Sequence, residues 1–162
     1  MIRAPQGLRT AGAWGARLTA LAVLGLAAAC ASVQRDEKAP EHIEHYQAVL
    51  GGAQEVPAVA TAATGRAELD YHPRSNMLHW RVSASGLSGK ATAGHIHGPA
   101  GPDQNAPAIV PLNVAAVAAI TGQLRITPEQ ATQLNSGQWY VNIHSAAHPD
   151  GEIRGQLRSR PD

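Results

Sequence analysis

A chain of 162 residues with a single cysteine has room for one domain of ordinary size and none for an intramolecular disulfide. Phenylalanine is absent and aromatic residues make up only 4%, so the core has to be aliphatic, with tryptophan as its bulk. A formal net charge of +1 gives no electrostatic argument for nucleic acid as a partner.

The chain opens on a segment that stands apart from the folding unit. Arg3, Arg9 and Arg17 make a positive stretch with no acidic residue before Asp36, and Leu18 to Ala29 is an apolar run of about a dozen residues. That is the length of a signal-peptide core and too short for a bilayer, which takes roughly 20 residues. The run ends in Ala27-Ala28-Ala29 directly before Cys30. The arrangement is similar to the bacterial lipobox, with Ala27 where the usual pattern prefers leucine. The expectation is a lipoprotein signal peptide over 1–29, with Cys30 as a lipidated, palmitate-bearing new N-terminus. Its first partner is then a membrane, reached through the lipid. Ala31 follows, with no acidic residue to hold the protein at the inner membrane, so the expected address is the outer membrane of a bacterial envelope, facing periplasm or surface. Removing the three leader arginines from 13 basic residues leaves ten against 12 acidic ones, a net −2 with histidine neutral.

Residues 30–44 are polar and charged and read as a flexible tether that includes His42, with His45 at its end. A β-rich domain is expected over 45–159. Ala67, Leu69 and Tyr71 alternate with polar residues, as do Leu78, Trp80, Val82 and Ala84, and His72-Pro73-Arg74-Ser75-Asn76 between them is turn chemistry. Further strands are expected near residues 46–50, 92–97, 108–112, 122–126, 138–144 and 152–157. Thr127-Pro128-Glu129-Gln130 starts a short helix over about 128–136, closed by Gly137. About eight strands at this spacing, with one short helix, predict an all-β fold, a Greek-key or immunoglobulin-like sandwich.

The most informative segment is Ala93-Gly94-His95-Ile96-His97-Gly98-Pro99-Ala100-Gly101. Residues two apart in a strand share a face, so His95 and His97 point together while Ile96 points inward. Imidazole is a common ligand of copper and zinc, and this pair offers two nitrogens to one ion. In the later strand, Tyr140, Asn142 and His144 share a face. If the two strands are neighbours, His95, His97 and His144 form a three-histidine site, with His148 as a possible fourth ligand. The same spacing also fits rim histidines that only make hydrogen bonds. His72 borders a turn and His79 lies on a polar face. Ser145 follows His144 but points to the opposite side, so no Ser–His pair is expected. Glu55, Glu152 and Arg154 are candidates for ion pairing or for hydrogen bonds to turn backbones.

Four phrases in series carry a family resemblance: Leu50-Gly51-Gly52-Ala53-Gln54-Glu55-Val56-Pro57, Gly94 to Ala100, Tyr140 to Ala147, and Gly151 to Leu157. Over Tyr46 to Leu157 the chain resembles the CHRD (chordin-type) domain family, found in animal chordin and in bacterial secreted proteins and lipoproteins. The resemblance implies an immunoglobulin-like β-sandwich and a non-enzymatic module that binds an envelope protein or other extracellular ligand, or organises the cell surface. His148 departs from the residue expected at that turn. A second likeness is to the copper ligands of copper/zinc superoxide dismutases. It implies copper at His95, His97 and His144, with Arg154 as the cation that guides an anion to the metal. The sequence carries no clear bridging histidine, no evident zinc loop and no disulfide for that enzyme. Three functions follow as expectations: a binding module of the envelope, a copper or zinc module, and a superoxide dismutase-like enzyme.

Overall fold

Alternation of apolar and polar residues builds the first hairpins in residues 40–161, the part of the chain that the computed structural model describes. The expected signal peptide, Cys30 and most of the tether lie outside the described residues. Strands β1 (Glu44–Gly51), β2 (Thr64–His72) and β3 (Met77–Ser85) pair antiparallel in chain order. Tyr46, Ala48 and Leu50 of β1 are buried, as are Ala67, Leu69 and Tyr71 of β2 and Leu78, Val82 and Ala84 of β3. His45 therefore belongs to β1 rather than to a tether. The turn between β2 and β3 needs one left-handed residue, and Asn76 supplies it at φ 56°.

The chain then crosses to β4 (Ala91–His97) and β5 (Ala108–Pro111), and returns to β6 (Ile120–Arg125) beside β3. Helix α1 (Pro128–Asn135) leads into β7 (Tyr140–Ser145), β8 (Ile153–Gln156) and the short β9 (Arg158–Arg160). All eight expected strands are present. The ninth, Arg-Ser-Arg, is exposed and too short to show alternation, and it continues the line of β8 along β1.

The strands form one antiparallel sheet in the order β5-β4-β7-β8-β1-β2-β3-β6, with β9 also on β1. Neighbours β3–β6, β4–β7 and β8–β1 are not consecutive in sequence, so crossovers join the two halves of the sheet. Between β8 and β1 the ladder narrows to the pair Arg154 and Gly51. The curled sheet closes both halves on one core, to which Leu50, Leu69 and Leu78 contribute from one half and Ile96, Ile143 and Ile153 from the other. Trp139 is fully buried there, whereas Trp80 is only partly buried at the core's edge. The fold is all-β and sandwich-like, with a single α-helix among the described residues.

Candidate metal centre

The crossover that seats β4 beside β7 turns two distant segments into one surface. Ile96 is buried in the core, so His95 and His97 on either side of it point outward together. In β7, buried Val141 and Ile143 force Tyr140, Asn142 and His144 onto that same outer face. The register opposes His144 to Ala93, Asn142 to His95 and Tyr140 to His97. His144 thus faces a small residue and leans diagonally toward His95, within the reach of long side chains on adjacent strands. One ring nitrogen from each of His95, His97 and His144 lies within 4.8 Å of the other two. His95 Nδ1 and His144 Nε2 are 3.3 Å apart. Two nitrogens bound tetrahedrally to one ion at bonds of ~2.0–2.1 Å sit about 3.3 Å apart, so this pair already has a ligand-like separation.

Backbone carbonyls set which nitrogen of two rings is free. His97 Nδ1 lies 2.8 Å from the Ala106 carbonyl oxygen, and His144 Nδ1 lies 2.8 Å from that of Pro149. A carbonyl only accepts, so each Nδ1 carries the proton and each Nε2 presents its lone pair. The same carbonyls hold the rings in orientation, the usual outer support of a metal-binding histidine. Asn142 Oδ1 lies 3.0 Å from His97 Nε2, and with Nδ1 protonated this contact is a hydrogen bond only when the amide is turned so that its Nδ2 donates. Burial, followed by the charges of His144 and His97, pushes His95 below its ordinary range. Burial also lowers His97, against the opposing hydrogen bonds to Ala106 and Asn142. Both rings are therefore neutral, and available as donors, at neutral pH.

The polar face of β7 is roofed. Tyr140 and Asn142 are only 3% and 4% exposed, because the chain from Gly98 to Pro107 folds back over β7 and β8. A side chain at Gly98 would bring its Cβ to 2.4 Å from the Trp139 ring, so glycine is required where this roof begins. The Tyr140 ring stacks flat on His97, with centroids 4.7 Å apart and planes 2° from parallel. The Arg154 guanidinium lies over the Tyr140 ring at 3.5 Å from its centroid. Its nitrogens donate to Asn105 Oδ1 at 3.0 Å and to the carbonyls of Gly101 and Gln104 at 3.1 and 2.9 Å.

These contacts correct the expectation for Arg154. At 1% exposed, it pins the roof in place and presents no cation to an anion arriving from solvent. His148 is also not a fourth ligand. The turn after β7 is held by the His148 N–H on the Ser145 carbonyl, and His148 lines a separate cavity with Glu55, Val59 and Asp150. Glu152 serves the scaffold: its Oε1 accepts from the Thr61 hydroxyl at 2.7 Å and from the Ser88 N–H and hydroxyl at 2.8 Å each. The other histidines do not converge. His45 pairs with Asp70 at 2.6 Å, His72 lies 3.5 Å from Glu41, and the rings of His72 and His79 meet edge-on. A cavity of about 480 Å³ lined by Leu87, Lys90, Val114 and Val117 lies apart from all three converging histidines. The supporting groups at Ala106, Pro149 and Tyr140 had no signal in the sequence beyond Tyr140 sharing a face with His144, because they depend on register and on the path of the roof.

Comparison with curated proteins and with solved structures finds no match. The family comparison matches the CHRD domain over residues 46–157, a span that holds most of β1, all of β2 through β8, the roof and all three converging histidines. This chain belongs to the CHRD domain family.

Proposed function

We propose that this chain is an exported, lipid-anchored protein of the bacterial envelope whose CHRD domain is a non-enzymatic module binding a transition metal, copper or zinc, through His95, His97 and His144. The observation that carries the reading is the convergence of one nitrogen from each ring to within 4.8 Å on a supported, half-buried face. Imidazole suits both metals, and two carbonyl-fixed Nδ1–H groups leave Nε2 as the ligand atom. The anchor rests on the positive, apolar and small-residue order of 1–29 before Cys30, which directs the domain to the outer membrane. Removal of the leader leaves the lipid as the protein's attachment and the metal as its soluble ligand.

Full-length protein purified without chelators or an affinity tag should carry, or take up on titration with Cu(II) or Zn(II), one ion per chain. His95→Ala and His97→Ala should each weaken binding by more than the roughly 10–100-fold typical of outer-shell changes. Elemental analysis and titration that find no stoichiometric metal in the wild type would sink the reading. Labelled palmitate should enter the wild type but not Cys30→Ala; label in both, or in neither, overturns the anchor.

A further inference from the structure

We propose that the three-histidine site holds copper as Cu(I) in preference to Cu(II), because its donors are all uncharged and a buried cation, hydrogen-bonded only to neutral oxygens, stands behind them. The inference rests on the metal-site reading above and adds to it the charge of the ion. Among the described residues, the only group of three or more candidate ligands that converges is His95, His97 and His144, with no carboxylate or thiolate among them. Three imidazoles with protonated Nδ1 or Nε2 bring no negative charge, so the bound ion keeps its full charge in a half-buried place.

Behind His97 the stack continues to Tyr140 at 4.7 Å and to the Arg154 guanidinium at 3.5 Å from the tyrosine ring. Register places Tyr140 and Asn142 on the central strand, with His97 and His95 on one side and Gln156 and Arg154 on the other. Arginine stays protonated in proteins, and this one is 1% exposed, so solvent screens it poorly. Its hydrogen bonds end on neutral oxygens: the Asn105 and Gln156 amides and the Gly101 and Gln104 carbonyls. The carboxyls of Glu55 and Asp103 act on Arg154 through charge and offset part of its field.

A unit charge on the order of 10 Å from the metal, at an effective dielectric of about 20, disfavours a divalent over a monovalent ion by roughly tenfold.

Asn105 allows the cation to be neutralised without disturbing the metal ligands. It is exposed, and its Oδ1 already accepts from Arg154 at 3.0 Å. Asn105→Asp places a carboxylate at that position and gives up one hydrogen bond, from Asn105 Nδ2 to the Val56 carbonyl. Asn105→Ala gives up that bond and also the one from Arg154, and adds no charge, so it reports the structural effect of losing the side chain without the electrostatic one.

The experiment is competition of full-length protein in detergent against chromophoric chelators. Cu(I) is supplied anaerobically with a reductant, and Cu(II) is supplied in air. The wild type should bind Cu(I) at least about tenfold more tightly than Cu(II). Asn105→Asp should narrow that ratio several-fold by strengthening Cu(II), and Asn105→Ala should leave it near the wild-type value. Cu(II) bound as tightly as Cu(I), or a ratio unmoved by Asn105→Asp, overturns the inference while the metal site stands. Absence of binding by either ion removes the site itself.

Discussion

Glu55 and Glu152 are both buried carboxyls, and their surroundings drive them in opposite directions. Burial alone would raise Glu152, but hydrogen bonds from Ser145, Thr61 and Ser88 outweigh it and hold the group down at about 2. Its contribution to stability is therefore present above the ordinary carboxylate range and is lost as pH falls through about 2. Glu55 has no such donors. Its Oε1 is buried without a hydrogen-bond partner among the described residues, and it packs against Gly151, where a Cβ would come within 2.7 Å. Burial pushes Glu55 up to about 7, against the opposing pull of Arg154. The folded state thus holds this proton more tightly than the unfolded state, whose carboxyl titrates near 4.5. Stability from Glu55 is greatest below about 4.5, falls as pH rises to about 7, and then levels off, a change on the order of a few kcal/mol. Glu55→Gln should remove that fall and make the variant more stable than wild type at pH 8. His95 and His97 are lowered by burial, which affects stability with the opposite sign, so the quantity to measure is the wild type minus variant difference in urea unfolding from pH 4.5 to 8. A difference that does not change with pH would show that Glu55 is not the group responsible. The sequence offered both as candidates for ion pairs or for hydrogen bonds to turn backbones, and Glu152 makes such a bond with the Ser88 N–H; the direction in which each carboxyl is driven was not legible, because it depends on which loop backbones and side chains reach it.

At the scale of elements, local chemistry was readable where it closes on itself. The Thr127 hydroxyl accepts from the Gln130 N–H at 3.1 Å, and the Gln130 side chain accepts from the Thr127 N–H at 2.9 Å. This capping box was visible as Thr-Pro-Glu-Gln, and α1 runs Pro128–Asn135, within a residue of the expected span. Thr127→Ala should cost about 1 kcal/mol in chemical denaturation with the β-sheet signal of the native state unchanged, and a loss below a few tenths would mean that tertiary packing alone holds the helix. The β2–β3 hairpin was equally legible, since its alternation and turn lie within one continuous stretch. Strand β9 was not, because three exposed polar residues show no period. The roof over β7 and β8 was seen only as a sharp turn after His97. Its anchoring to Arg154 and Gln156, about fifty residues further along the chain, has no local signature.

For the whole molecule, the decisive fact is that the candidate site spans β4 and β7, so it exists only in the folded state. Binding then stabilises the fold by mass action, by about 2.7 kcal/mol when free metal stands at 100 times its dissociation constant. Thermal unfolding of the full chain should shift upward with copper, return to the starting value with a chelator, and show no shift in His97→Ala. An unchanged midpoint in the wild type at saturating metal would mean that the ion binds folded and unfolded chains alike. The sequence by itself determined the β class, the strand count to within one, the helix, the family and the shared face of His95 and His97, because alternation, caps and H-x-H spacing act over a few residues. Only the tertiary structure decided that β4 lies beside β7, that Pro149 and Ala106 fix two imidazoles, that His148 turns away, and that Arg154 is sealed against Tyr140. Those outcomes come from crossover strand pairing and loop closure between residues far apart in the chain, where packing and register, not local preference, choose the neighbour.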